Sequence, residues 1–186
     1  VLLASGSGTN VENIAHYFSG HRDVSIPMVL CNNSQAGVLE RCKRLGIPAF
    51  TFNRHAYRQL DSLLALLDSA NPDLIVLAGF LWKIPEAMVE RYPGRIVNIH
   101  PALLPRHGGK GMYGMRVHEA VKEQGDRETG LSIHYVNEHY DQGALIRQFK
   151  VAVPEKATAT DIAKLVHRLE MEQVPVVIES LLNEIP

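Results

Sequence analysis

Two rhythms of hydrophobic and polar positions alternate through the first hundred residues. Short apolar runs at 1–4, 24–30, 49–52, 74–78 and 96–99 predict strands, and stretches at 11–18, 38–45, 60–67 and 85–91 carry the 3.6-residue spacing of amphipathic helices. Strands separated by helices imply a parallel sheet built from crossover units. The run Leu74-Ile75-Val76-Leu77-Ala78 lacks polar alternation, as a strand covered on both faces should. Gly46 and Gly94 stand where helices would stop.

Beyond Pro105 the pattern changes. A glycine-rich stretch leads to a short helix at 117–123, then to strands at 131–136 and 145–153, whose connection is too short for a crossover helix and therefore predicts antiparallel pairing. A helix over 160–182 closes the chain, with Thr158 or Thr160 as its cap and Pro175 expected to kink or divide it. The fold class expected is α/β: a doubly wound, mostly parallel, Rossmann-like sheet with an antiparallel C-terminal extension and a terminal helix.

The 186 residues, 46% of them hydrophobic, suit one domain. A net charge of -1 provides no electrostatic footprint for nucleic acid, and no apolar run is long enough to cross a bilayer, so small molecules are the expected partners. Cys31 and Cys42 are too few for a disulfide scaffold and lack ligand spacing, which points to reduced thiols in a cytoplasmic protein. None of the nine histidines forms a recognised metal motif, and no metal is expected. The sequence opens on an apolar strand without a methionine, so one or more preceding residues are expected. Apolar positions on the terminal helix, Leu165 and Leu169 among them, read as core or as a dimer contact, leaving monomer and homodimer both open.

Three features carry candidate chemistry. Directly after the first strand stand Ser5, Gly6, Ser7, Gly8, Thr9 and Asn10, followed by a helix. Glycines allow close backbone approach, and a helix N-terminus favours an anion, so a phosphate is the expected occupant. Glu12 and Asn13 occupy the region of the third glycine of a dinucleotide fingerprint, and Asn32 and Asn33 follow the second strand where a ribose-binding carboxylate belongs. A phosphate monoester fits better than NAD. A tight turn that binds nothing is the plain alternative.

Asn98 and His100 sit two residues apart at the end of the fifth strand, so both point to one face. A carboxamide can donate to a developing oxyanion and an imidazole can carry a proton near neutral pH, which together suit acyl-type chemistry. Asp141, in the turn Asp141-Gln142-Gly143, would complete the set if that turn returns over the sheet. A carboxylate beside His100 should raise its pKa and leave an imidazolium available near pH 7.

Taken in order, Ser-Gly-Ser-Gly-Thr-Asn at 5–10, Leu77-Ala78-Gly79-Phe80, Asn98-Ile99-His100-Pro101 with Leu103-Leu104-Pro105, and Asp141-Gln142-Gly143 resemble the phosphoribosylglycinamide formyltransferases, the glycinamide ribonucleotide branch of the folate-dependent formyltransferase superfamily. The resemblance covers nearly the whole chain. It implies one formyltransferase domain over 1–186, with a phosphate-binding half near 1–100 and a folate and catalytic half near 75–186. It also implies 10-formyltetrahydrofolate as formyl donor, phosphoribosylglycinamide as acceptor, and no metal. On the matching positions, His100 is the catalytic histidine, Asn98 the oxyanion amide and Asp141 the carboxylate that tunes the histidine and organises proton transfer. Gly6, Ser7, Gly8, Thr9 and Asn10 hold the substrate phosphate, and Glu170 binds the substrate. Arg54, Leu81, Trp82, Lys83 and Ile84, with Asn98, contact folate.

Two segments depart from the pattern. Trp82-Lys83 stands where a basic then an aliphatic residue is common, and 107–115 is longer than usual, reading as a flap or a surface loop. Its His107-Gly108-Gly109-Lys110-Gly111 run superficially resembles a nucleotide loop but lacks Walker spacing. His118 and His134 read as structural histidines or pocket lining. The competing functions are a formyltetrahydrofolate hydrolase, a transferase for another amine, and a silent phosphate-binding module.

Overall fold

The computed structural model describes residues 1–185. They form two compact units, one of Val1–Trp82 with the described residues from Glu179 onward, the other of Lys83–Ile178.

The first unit is the repeating α/β part. Strands β1 (Leu2–Ala4), β2 (Val29–Cys31), β3 (Ala49–Thr51) and β4 (Ile75–Leu77) lie in the order β3-β2-β1-β4, each adjacent pair parallel. Helices α1 (Thr9–Phe18), α2 (Gly37–Leu45), α3 (Arg54–Gln59) and α4 (Asp61–Ala70) connect them. Leu3, Ile14, Leu30, Leu67 and Ile75 are at most 1% exposed and form its core. Each such side chain contributes about 1.5–3 kcal/mol by leaving water. Gly46 stops α2 with φ 68, its N–H bonded to the carbonyls of Cys42 and Lys43, as its place in the sequence suggests.

In the second unit, α5 (Glu86–Arg91) precedes β5 (Ile96–His100), and α6 (Met115–Glu123) precedes β6 (Glu128–Tyr135) and β7 (Leu145–Ala152). The order is β5-β6-β7, antiparallel throughout. Helix α7 (Ala159–Asn183) ends the chain, opened by reciprocal bonds between Thr158 and Asp161. The α/β class, the parallel strands, the antiparallel extension and the terminal helix are all as the sequence predicts.

Three local features differ from the sequence reading: one strand is shorter than expected, one helix was not expected, and the terminal helix is not divided. The apolar run at 24–30 is a strand only from Val29, because Pro27 has no N–H to give a ladder. The turn of helix at Arg54–Gln59 lacks an apolar periodicity; it is set instead by the Asn53 side chain, which accepts the Ala56 N–H at 2.9 Å. Pro175 does not divide α7. It forgoes one main-chain bond, while Val174, Val177, Ile178 and Leu181, all at most 7% exposed, anchor the helix on both sides.

Candidate active site

In the first unit, the segment Ser5 to Asn10 follows β1 and opens α1. Gly8 caps the helix at φ 79, and a Cβ there would lie 2.5 Å from Val38 Cγ2, so only glycine fits both the conformation and the approach to α2. The Gly6 carbonyl accepts the Val38 N–H at 3.1 Å, and the Ser7 carbonyl accepts Arg41 Nε at 2.8 Å. Arg41 also pairs with Glu12. Because a trans peptide points its N–H opposite its carbonyl, the Ser7 and Gly8 N–H groups face away from α2, beside the positive end of α1. Asn10 Oδ1 is buried without a hydrogen-bond partner, at a position suited to a ligand donor.

The same unit holds an aromatic cluster. Phe52, Tyr57, Phe80 and Trp82 have ring centroids 5.1 to 6.4 Å apart, and the Arg54 guanidinium lies 4.5 Å from the Trp82 centroid. Leu81 is exposed and donates its N–H to Ser5 Oγ at 2.9 Å. In the second unit, Lys83 is exposed and Ile84 is 3% exposed.

The second unit brings Asn98, His100 and Asp141 together. Asn98 is opposite His134 in the β5–β6 register, and His100 opposite Ser132, so period-two alternation turns all four to one face. Asp141, at φ 54, returns in the turn between β6 and β7 and places its carboxylate over that face. Its Oδ1 accepts Asn98 Nδ2 at 3.2 Å and its Oδ2 accepts the Gly109 N–H at 2.9 Å. His100 Nδ1 is 3.7 Å from Oδ2, and His134 Nε2 is 3.6 Å from Oδ1.

Hydrogen bonding assigns the ring protons. His100 Nε2 lies 2.8 Å from the His107 carbonyl, which can only accept, so Nε2 donates and the neutral ring presents its Nδ1 lone pair toward Asp141. His134 Nδ1 donates to the Tyr135 carbonyl at 2.8 Å, leaving Nε2 to accept from Asn98 Nδ2 at 3.1 Å. Both amide hydrogens of Asn98 are thus engaged within the cluster.

The expected rise in the His100 pKa does not occur. Burial pushes it below 6.5 and outweighs the opposing pull of Asp141 and the His107 carbonyl, so the resting imidazole is neutral near pH 7. Burial would raise the Asp141 pKa, yet the nearby His134 and His100 rings and the Gly109 N–H together hold it below the usual carboxylate value. Burial and the neighbouring His100 lower His118, on α6, to about 4; its Nδ1 is buried without a partner.

The segment after β5 is clamped to the sheet. Ser132 Oγ donates to the Ala102 carbonyl at 2.6 Å and accepts from the Leu104 N–H at 3.0 Å, while Gln148 Nε2 reaches the Leu104 carbonyl at 2.8 Å. Farther on, His107 is buried and Lys110, Tyr113 and Met115 are exposed, so the expected flap is tied down at its start. Glu170 stands on α7 with its carboxylate 3.2 Å from His167 Nδ1. His134, read from the sequence as a structural histidine or pocket lining, and His107 and Gly109, read there only as part of a flap or surface loop, are the further members of the cluster. For His134, an i, i+2 spacing from Ser132 on a strand pairing with β5 was the available signal.

This geometry accompanies a clear family assignment. The chain belongs to the formyl transferase family, whose model matches residues 1–178. It is 37% identical over 188 residues to phosphoribosylglycinamide formyltransferase, chloroplastic, of Arabidopsis thaliana, with 96% of this chain and 64% of that protein covered. With phosphoribosylglycinamide formyltransferase of Bacillus subtilis the identity is 34%, over 98% of this chain and 93% of the relative. The crystal structure of phosphoribosylglycinamide formyltransferase from Bacillus halodurans superposes with a TM-score of 0.89 at 29% identity, over all of this chain and 95% of the other. The chain spans just under two thirds of the Arabidopsis relative's length and nearly all of the Bacillus subtilis relative's. No helix among the described residues is long and apolar enough to cross a membrane.

Proposed function

We propose that the protein transfers a formyl group from 10-formyltetrahydrofolate to the amine of 5-phosphoribosylglycinamide, a step of purine biosynthesis carried out in the cytoplasm. The observation that carries this reading is the convergence of Asn98, His100 and Asp141, drawn from positions 43 residues apart, on one sheet face. The named activity of relatives that match along nearly their whole length supports it.

The donor supplies an activated formyl group; the chain must place charge and move one proton. Attack by a neutral amine creates an oxyanion on the formyl oxygen and a surplus proton on the amine nitrogen. Asn98 Nδ2 donates to the oxyanion, releasing one of its present acceptors. The neutral His100 accepts the amine's proton at Nδ1, directly or through a water held by Asp141, and becomes an imidazolium that the carboxylate stabilises. That cation stands beside the oxyanion and returns the proton to the departing folate nitrogen as the carbon–nitrogen bond breaks. An ionised Asp141 with a depressed pKa suits this electrostatic role.

Gly6, Ser7, Gly8, Thr9 and Asn10 hold the substrate phosphate through main-chain N–H groups, and Glu170 binds the substrate amine side. Arg54, Leu81, Trp82, Lys83 and Ile84 serve the folate, with the aromatic cluster around Trp82 suited to a flat ring. One assay separates the alternatives. Folate release from 10-formyltetrahydrofolate that requires phosphoribosylglycinamide supports the transferase; release without an acceptor means a hydrolase, and no release means a silent binding module.

A further inference from the structure

A second His–Asp pair, its histidine buried and its aspartate partly exposed, adjoins the cluster and takes no part in the chemistry proposed above. His107, with a side chain 4% exposed, places Nε2 2.6 Å from Asp126 Oδ2. Asp126 is presented by the turn after α6, where Gly125 has φ 67 and the Asp126 N–H bonds to the Val121 carbonyl at 3.2 Å. Arg106 Nη1 approaches the other carboxylate oxygen at 3.5 Å. His107 itself is left-handed, at φ 54, a conformation a side chain resists unless something holds it.

We infer that the His107–Asp126 pair is the positioning element of the active site, fixing the main chain at 107–109 that holds His100 and Asp141 in their working states. That short segment touches both members at once. The His107 carbonyl accepts His100 Nε2–H at 2.8 Å, and two residues on the Gly109 N–H donates to Asp141 Oδ2 at 2.9 Å. Between them, a Cβ on Gly108 would lie 2.5 Å from Leu104 Cδ2 and 3.4 Å from Asp141 Cβ, so a side chain at 108 would crowd Leu104 and the catalytic carboxylate.

The consequence is specific. A carbonyl accepts and never donates, so its placement selects the His100 tautomer with the proton on Nε2 and keeps Nδ1 open toward Asp141. Releasing the His107 side chain frees the φ 54 residue to relax, moves its carbonyl, and allows the proton onto Nδ1, where the lone pair needed for the amine's proton is lost. The pair acts through His100 and Asp141 and is not itself catalytic.

The catalytic part of this inference rests on the proposed formyl transfer; the structural part does not. The test is imidazole ¹⁵N NMR of the full chain, wild type against Asp126→Asn, which keeps the side-chain shape, and His107→Gln as an independent second variant. The wild type should show His100 as the Nε2–H tautomer, and both variants a mixture with a substantial Nδ1–H fraction. In the transfer assay the variants should lose about tenfold or more in kcat with both KM values within about twofold, the size expected for a group that orients a reacting residue. An unchanged His100 spectrum in both variants overturns the inference, as does wild-type kcat in a variant whose spectrum has changed. A wild type that transfers no formyl group defeats the proposed function alone, since the tautomer measurement needs no substrate.

Discussion

His100 Nδ1 stands 3.7 Å from Asp141 Oδ2, too far for a hydrogen bond and close enough for strong attraction once the ring is charged. The opposite nitrogen is anchored at 2.8 Å to a carbonyl. Such a pair is idle while the imidazole is neutral and becomes an ion pair the moment it takes a proton, which is the behaviour a proton acceptor in formyl transfer needs. Burial and attraction oppose each other here, and burial prevails at rest.

Replacement of Asn98 by alanine should lower kcat by about 10²–10³-fold, the usual worth of one oxyanion donor. It also strips a donor from Asp141 Oδ1 and from His134 Nε2, so a modest loss of stability should accompany it. Steady-state kinetics that show a raised KM and an intact kcat would assign Asn98 to ground-state binding instead.

Gly8→Val should raise the KM for the phosphorylated substrate and destabilise the first unit by at least about 1–3 kcal/mol through overpacking against Val38, to which the positive φ adds strain. Urea unfolding measures the second effect and substrate titration the first. A variant that unfolds like wild type and binds the phosphorylated substrate normally would show that the phosphate sits elsewhere.

The histidines predict how stability depends on pH. In the unfolded chain His118 titrates near 6.5, while in the folded state its pKa is about 4, so below 6.5 the unfolded chain binds more protons. Its contribution is therefore complete above 6.5 and is lost as pH falls toward 4; the depressed His100 acts in the same direction. Thermal midpoints should drop steadily from pH 7 to pH 4.5, with a shallower slope for His118→Gln. Parallel slopes for the two proteins would show that His118 does not titrate this way.

Ser132 is fully buried and serves three partners, Ala102, Leu104 and Gln148. Ser132→Ala leaves the Ala102 carbonyl without its donor, at a cost of about 1–3 kcal/mol. Denaturant midpoints check this, and a change below about 0.5 kcal/mol would mean the clamp is dispensable.

The legibility of the sequence follows the range of the interactions that shape each part. The parallel strands, the helices packed on them and the cap at Gly46 are written in local periodicity and turn chemistry, and they read directly. So did the shared face of Asn98 and His100, since strand alternation fixes it. Helix α3 was hidden because a single side-chain cap, Asn53 to Ala56, starts it without an apolar stripe. The depressed pKa of His100 was hidden for a different reason: the carboxylate is visible in the sequence, but the depth of burial that overrides it is a property of the assembled core. His107 and Asp126, 19 residues apart, meet only through the turn after α6.

The most direct measurement is the single-turnover rate of formyl transfer to phosphoribosylglycinamide by His100→Asn and Asp141→Asn, with the binding of both substrates measured alongside. Loss of general acid–base assistance predicts a fall of about 10²–10⁴-fold in rate for each variant with binding nearly unchanged. Near-native turnover in either one would contradict the assignment of the reaction to this cluster.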